Sequence, residues 1–466
     1  MNVTTHYTAE MANVAANTTL ATLPATFVTL LSVFLLDTFA VMLAGLVQPV
    51  YRRAVSTITH THGTGGPGNH TYAALDGTTT SLSGQLFLAS LAAGDFEFEH
   101  VIENSHPASA VLPAVLCIAA AHHKGGEEFL TALAIGYEFA TRIGYATTLE
   151  AETIRGFHAI GLNGPIATAA AVGRLLGLDA DTIASAMGIA ASSCGGLQAY
   201  IGTEADTRRV HPARAGQLGA EAALQAAAGI RGPTDVLENP KGYFHAFSPH
   251  PEWAYLLEGL GTQWTSAAQV LKAAPVHAWA QGYVHAINEY RAAGHAWGPD
   301  DVGNVTVYGN APHVLDPNTW TLDPASFSAA QYSVPFGIAA ALTTDLRDPM
   351  NMNDGILTNA TYAIAKEMRQ VSISDDPDAL WGWLTLDLKG VPTNISFDTF
   401  PGLPGAPGYS GLAEEKFANV VGAFGVRGDE VRGMILGVRN LTDVSVLLDA
   451  MVAVGSEAMG KFEGRR

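Results

Sequence analysis

A chain of 466 residues that is 48% hydrophobic and only 14% charged can bury large cores, which excludes an intrinsically disordered protein. With 43 Asp+Glu against 24 Lys+Arg, its formal charge of −19 argues against a nucleic-acid partner, and any anion site must rest on locally gathered cations. The two cysteines, Cys117 and Cys194, stand among small or apolar neighbours and read as buried thiols of a reducing compartment, not as a disulfide framework.

Residues 1–20 are polar and rich in Thr and Asn. The apolar run Phe27–Val47 is the one candidate for a signal or membrane span. No Lys or Arg precedes Arg52 and Asp37 lies near the middle of the run, so it reads as a buried core helix of a cytoplasmic protein with no membrane partner. A Gly/Thr/His-rich loop is expected from Thr57 to Gly68. Its His60 and His62 are ligand types, yet two of them fall short of a zinc site. Ser81–Ala93 reads as a helix ending at Gly94, followed by DFEFEHVIENSHP, which gathers Asp95, Glu97, Glu99, His100, Glu103 and His106. Such a loop can hold a general acid, a base or a divalent ion. It can equally be a solvated turn whose Phe96 and Phe98 dock on the core.

Helices are then expected over Ala110–Ala121, with His122 and His123 at an exposed end, and over Phe129–Thr147, which contains Gly136-Tyr137-Glu138 and Arg142-Ile143-Gly144-Tyr145. Gly156-Phe157-His158 opens a run of small residues through Gly177, and Asp181–Ala199 is a further helix. It leads into TRRVHPARAGQLG, Thr207–Gly219. Arg208, Arg209, His211 and Arg214 make this segment an anion-binding turn before a closely packed helix, because the guanidinium fork grips a carboxylate by two parallel hydrogen bonds. A solvated basic turn paired with nearby acids is the alternative.

Near Gly261 the texture changes. Lys272-Ala-Ala-Pro-Val-His277 is expected to begin a helix running to about Ala293. Asn304–Tyr308 and Trp381–Leu388 alternate as strands, with a helix over Tyr332–Thr343 between them. The Pro/Gly-rich 400–408 reads as a linker, and Glu414–Gly425 and Asp443–Val454 as helices. The expected class is mainly α: a helical domain over 1–261, an α+β domain over 262–400, and helices over 401–466 that rejoin the first domain.

Several segments, in order over nearly the whole chain, resemble the MmgE/PrpD family. They are Asp37-Thr38 with Ala44-Gly45, Asp95…His106-Pro107, Gly136-Tyr137-Glu138…Arg142-Ile143-Gly144, Gly156-Phe157-His158, Arg208-Arg209-Val210-His211-Pro212…Gly219, Lys272-x-x-Pro275 and Ala330-Gln331-Tyr332-Ser333-x-Pro335. The resemblance implies a large helical domain, a smaller α+β lid, an active site between them without metal or organic cofactor, and often a homodimer. It points to Asp95, His106, His158, Arg208 and Lys272 as site residues. This chain departs from the family pattern at several places. The family's DFDD reads Asp95-Phe96-Glu97-Phe98-Glu99, the His three residues before it is Ala92, the Lys before Arg is Arg208, a His after the family Lys is Gln281, and a Tyr falls at Phe336 with Tyr332 one turn earlier.

The family's reactions share a carbanion next to a carboxylate, which needs a base and cations on that carboxylate. Lys272 is the expected base or proton donor, desolvated by Pro275, Val276 and the lid's apolar surface. Arg208, Arg209 and His211 would hold a small-molecule carboxylate substrate, with Gln281 and Tyr332 as further substrate contacts. Tyr145, His106 and His158 are the candidates for a second proton carrier, each otherwise a supporting group, and Asp95 completes the set. The altered acidic loop favours epimerisation of an iminodisuccinate-like multicarboxylate by 1,1-proton transfer. The alternatives are dehydration or decarboxylation of citrate-like acids such as 2-methylcitrate or cis-aconitate, and a carboxylate-binding relative without catalysis.

Overall fold

Ala and Gly at the helix contacts let main chains approach closely, and this sets the architecture. A computed structural model describes residues 6–63, 71–102, 104–376 and 381–465. The chain divides into two units. The larger comprises Met1–Gln198, Thr207–Gln269 and Phe424–Arg466, and the smaller Ala199–Asp206 and Val270–Ala423. The return to the larger unit therefore falls at 423/424, later than the 400/401 expected, and residues 199–206 belong with the smaller unit.

The larger unit is helical: α1 Tyr7–Asn17, α2 Ala25–Leu46, α3 Pro49–His62, α4 Leu82–Gly94, α5 Pro107–Ala121, α6 Gly126–Thr147, the single turn α7 Glu150–Thr153, α8 Ala159–Leu175, α9 Ala180–Ala191 and α10 Thr207–Ala227. A two-stranded antiparallel hairpin, β1 Tyr72–Ala73 with β2 Thr79–Thr80, lies between α3 and α4. Ser81 caps α4 by accepting a hydrogen bond from Gly84 N. α10 lies close to α4 and α8: a Cβ at Gly216 would meet Ser90 and Ala110, and one at Gly219 would meet Pro165. Here the small residues foreseen in the sequence do their packing work.

α2 is long and apolar enough to cross a membrane by length and composition, and 83% of its apolar window is buried. Asp37, a carboxylate in the middle of that run, lies 2.8 Å from His100 Nδ1. His100 Nε2 is in turn 2.8 Å from the Tyr137 hydroxyl, and Phe34 stacks on both rings. Asp37, His100 and Tyr137 are completely buried, so the Asp37 carboxyl group finds a hydrogen-bonding partner inside the core, as a buried polar group requires.

A second buried knot ties α6 to the chain beyond it. Glu138 accepts from Arg142 Nε (2.6 Å), from the amide and hydroxyl of Thr265 (3.2 and 2.9 Å), and from the amide and hydroxyl of Ser266 (3.0 and 2.8 Å). Arg142 donates further to the carbonyls of Tyr255, Glu258 and Gln263.

Three expectations are corrected here. Residues 57–62 continue α3 instead of forming a loop, which places His60 and His62 in its last turn; residues 64–68 of that loop, and Glu103, lie outside the described residues. α9 stops at Ala191, and Gly195-Gly196 follow in irregular chain. Thr207–Gly219 is helical from its first residue, so Arg208 and Arg209 stand on the first turn of α10 and Arg214 further along it, rather than on a turn before it.

The smaller unit is α+β. Its four strands, β3 Val302–Asn310, β4 Arg369–Ser374, β5 Gly382–Leu388 and β6 Val391–Phe397, form a sheet in the order β4-β3-β5-β6. β3 runs parallel to β4 and antiparallel to β5, and β5 and β6 form a hairpin from Gly382↔Phe397 to Leu388↔Val391. The edge strands β4 and β6 escape sequence reading because β4 is mostly polar and β6 carries Pro392, tolerated only where no ladder bond is needed. The helix expected from Lys272 begins at Gln281 instead and runs to Ala292. Pro275 lacks an amide and disfavours helix in the residue before it, so 271–277 is irregular. Tyr332 ends the helix Phe327–Tyr332, and the next, Val334–Thr343, is capped by Ser333 accepting from Phe336 N.

Candidate active site

The acidic stretch after α4 is not extended and not solvated. Asp95 ends α4 in a helical conformation, Glu97 adopts φ +56°, and Asp95, Glu97 and Glu99 are all at most 3% exposed. Phe96 and Phe98 are fully buried beside them. Each carboxylate meets a cation or an imidazole. Asp95 accepts from Tyr51 N (2.8 Å) and lies 3.8 Å from Arg209 Nε. Glu97 forms an ion pair with Arg208. Glu99 Oε1 is 3.2 Å from His106 Nδ1 at the start of α5. Placing two arginines on the first turn of α10, with Gly94 packed against Pro212 of the same helix, brings these partners together.

A row of histidines adjoins this network. The His106 and His158 rings are 6.0 Å apart, the His158 and His211 rings 5.2 Å. His158 precedes α8 and donates its amide to Gly196 O (3.0 Å); Glu152 Oε1 accepts from Ala159 N (2.7 Å), satisfying one of the helix's first amides. Burial raises the Glu152 carboxyl above its ordinary pKa. Burial, and then the Arg208 charge, lowers His158 well below the ordinary imidazole value and His211 to about 4. Both rings are therefore neutral at neutral pH.

Their contact is Nδ1 to Nδ1 at 3.0 Å. Such a bond needs one Nδ1–H donor and one bare Nδ1 acceptor, so two neutral rings must be opposite tautomers. The donor ring then has a bare Nε2, and the acceptor ring a protonated one. One pair thus offers both a base and an acid.

Sequence reasoning named Asp95, His106, His158, Arg208, Arg209 and His211, and the fold gathers these in the larger unit. Tyr145, on the last turns of α6, is stacked on Tyr255 with ring centroids 5.3 Å apart; the neighbouring Arg142 serves Glu138 and main-chain carbonyls. The other named residues lie in the smaller unit. Lys272 is 1% exposed. Tyr332 is half-buried, with its ring edge-on to His277 (4.9 Å) and Tyr200 (6.4 Å). Gln281, expected on the substrate, has both lone pairs and both N–H groups of its amide engaged by the main chain of residues 273–276. Glu152 and Gly196 gave no sequence signal, and Asp37, which in the sequence argued against a membrane span but named no partner, has its partner in His100.

The MmgE/PrpD N-terminal domain model matches residues 9–256, more than half of the chain. Similar proteins include a cis-aconitate decarboxylase-like protein of Aspergillus oryzae, 38% identical over 146 residues, which is 30% of either chain. The cis-aconitate decarboxylase of Homo sapiens is 31% identical over 152 residues, 31% of either chain, and that of Aspergillus terreus 28% over 197, covering 40% of this chain and 39% of the relative. The aligned stretches span well under half the length of these relatives.

Proposed function

Because the chain belongs to the MmgE/PrpD family, we propose that it is a cofactor-independent lyase that removes CO₂ from an unsaturated polycarboxylic acid of the cis-aconitate type. This replaces epimerisation as the leading reading, since the similar proteins are named for decarboxylation and none of the three for epimerisation. The observation that carries it is the neutral His158–His211 pair set beside the Arg208–Glu97 ion pair. In the reaction the C–CO₂⁻ bond breaks and its electron pair passes into the conjugated carbon skeleton, toward a remaining carboxylate. A guanidinium on that carboxylate stabilises the charge as it forms. A proton then closes the carbanion, and a ring bearing Nε2–H supplies it. Arg208 is the carboxylate ligand in this scheme, with a substrate carboxylate taking over part of the fork now on Glu97. Lys272 Nζ is the other group that can deliver this one proton to the carbanion, on the strength of the resemblance at Lys272-x-x-Pro275.

Iminodisuccinate-type epimerisation is the second reading, because one accepting and one donating imidazole nitrogen are what 1,1-proton transfer requires. Proton NMR in D₂O separates the two. With cis-aconitate, decarboxylation gives a product one CO₂ lighter carrying one deuterium. With iminodisuccinate, epimerisation gives deuterium at the α-carbon with no loss of carbon. The absence of both exchange and turnover on either acid refutes the proposal, and exchange without loss of CO₂ replaces it by the second reading. Lys272→Ala is expected to lower turnover at least a hundredfold, and unchanged turnover removes Lys272 from the mechanism.

A further inference from the structure

We propose that Gln281 is a positioning residue for Lys272, fixing through its side-chain amide the main chain of the loop that carries the amine. The inference rests on the role given to Lys272 above. Residues 271–277 form an irregular segment, and most of it is buried. A buried main chain without a helix or sheet ladder must find partners for its N–H and C=O groups elsewhere.

Gln281 supplies four of them. It is the first residue of the helix Gln281–Ala292 and is fully buried. Its Oε1 accepts from Ala273 N (2.9 Å) and Ala274 N (3.2 Å), and its Nε2 donates to Ala274 O (2.8 Å) and Val276 O (3.0 Å). Gln331 adds two more: Nε2 donates to Pro275 O (2.9 Å), and its main-chain carbonyl accepts from His277 N (2.9 Å). On the other side of the lysine, Leu271 N donates to Gly402 O (2.9 Å), where the lack of a Cβ permits the close approach. Lys272 therefore sits between two pinned segments, and Pro275 removes one more rotation. Gln281 is the principal clamp, because it holds the residues immediately following the lysine through both donors and acceptors. A side chain of the right volume without hydrogen-bonding groups would leave those main-chain groups unsatisfied in a buried place and release the loop.

The test compares Gln281→Met, Gln331→Met and the wild type by hydrogen exchange with mass spectrometry, by competitive acetylation of Lys272, and by kinetics with cis-aconitate. In Gln281→Met, exchange at Ala273 and Ala274 and acetylation of Lys272 should each rise at least tenfold. kcat should fall at least tenfold with KM changed less than threefold, and Gln331→Met should show the same pattern more weakly. Leu384→Ala, in the sheet of the same unit, controls for lost stability alone and should leave Lys272 acetylation and kcat unchanged. Exchange and acetylation at wild-type rates in Gln281→Met overturn the inference whatever the substrate proves to be, as do equal changes in Leu384→Ala. If Lys272→Ala abolishes turnover while Gln281→Met keeps the wild-type kcat, positioning alone fails. If Lys272→Ala turns over normally, the role of the lysine fails first.

Discussion

The Arg208–Glu97 ion pair allows stability and activity to be separated by mutation. The Arg208 side chain is 7% exposed and that of Glu97 2%, so the pair belongs with buried ion pairs and not with the nearly neutral surface kind. Arg208→Gln leaves the Glu97 carboxylate buried without its cation, at a cost of about 3–5 kcal/mol. It also removes a charged hydrogen bond to the substrate, worth about 3 kcal/mol or roughly a hundredfold in kcat/KM. Adding Glu97→Gln neutralises the stranded charge. The double variant should recover most of the lost stability, to within about 1–2 kcal/mol of wild type, since two buried amides lack only the desolvation debt of an unpaired ion. It should not recover activity, because the guanidinium is still missing. Urea unfolding and kcat/KM with cis-aconitate read the two quantities separately. The reasoning is refuted if Arg208→Gln alone is as stable as wild type, or if the double variant regains wild-type kcat/KM.

At Gly196 the backbone has φ +144°, and a Cβ would stand 3.2 Å from the His211 ring. Gly196→Ala should therefore cost about 1–3 kcal/mol in thermal unfolding and lower kcat by displacing His211; a fully active, equally stable variant contradicts this. The fold should also lose stability in acid. Unfolded His211 takes up a proton as pH falls through its ordinary value near 6.5, but the folded residue does so only at about 4, so stability drops between those values and levels off below them. His158 acts in the same direction. In thermal melts from pH 7 to 4, His211→Asn should weaken this acid sensitivity, and an identical slope in the variant excludes His211 as a source.

The parts of the site most visible in sequence were those with concentrated charge. Arg208, Arg209 and His211 stand within four residues of one another, and the helix they begin brings them to carboxylates already conspicuous as Asp95, Glu97 and Glu99. The choice between a solvated acidic turn and a functional one depended on burial, which only the packing of α4, α5 and α10 decides. His100 was visible as a residue and invisible as a partner, because the 63-residue separation from Asp37 is bridged only by the fold. Gln281 misled for the opposite reason: its place after Lys272 suggested a substrate contact, but Pro275 breaks the intervening chain out of helix and gives the amide a main chain to hold. β4 and β6 were missed because edge strands need no apolar alternation.

The knot around Glu138 and Arg142 bears on how the protein can be cut. The recognisable N-terminal region ends at residue 256, yet the carbonyls of Glu258 and Gln263 that accept from the guanidinium, and the amides and hydroxyls of Thr265 and Ser266 that donate to the carboxylate, all follow that point. A fragment expressed to that boundary would strand a charged pair inside α6 with most of its ligands deleted. The stretch that evolution repeats as a module is shorter than the stretch that physics requires, and an autonomous fragment would have to carry residues 257–269 as well.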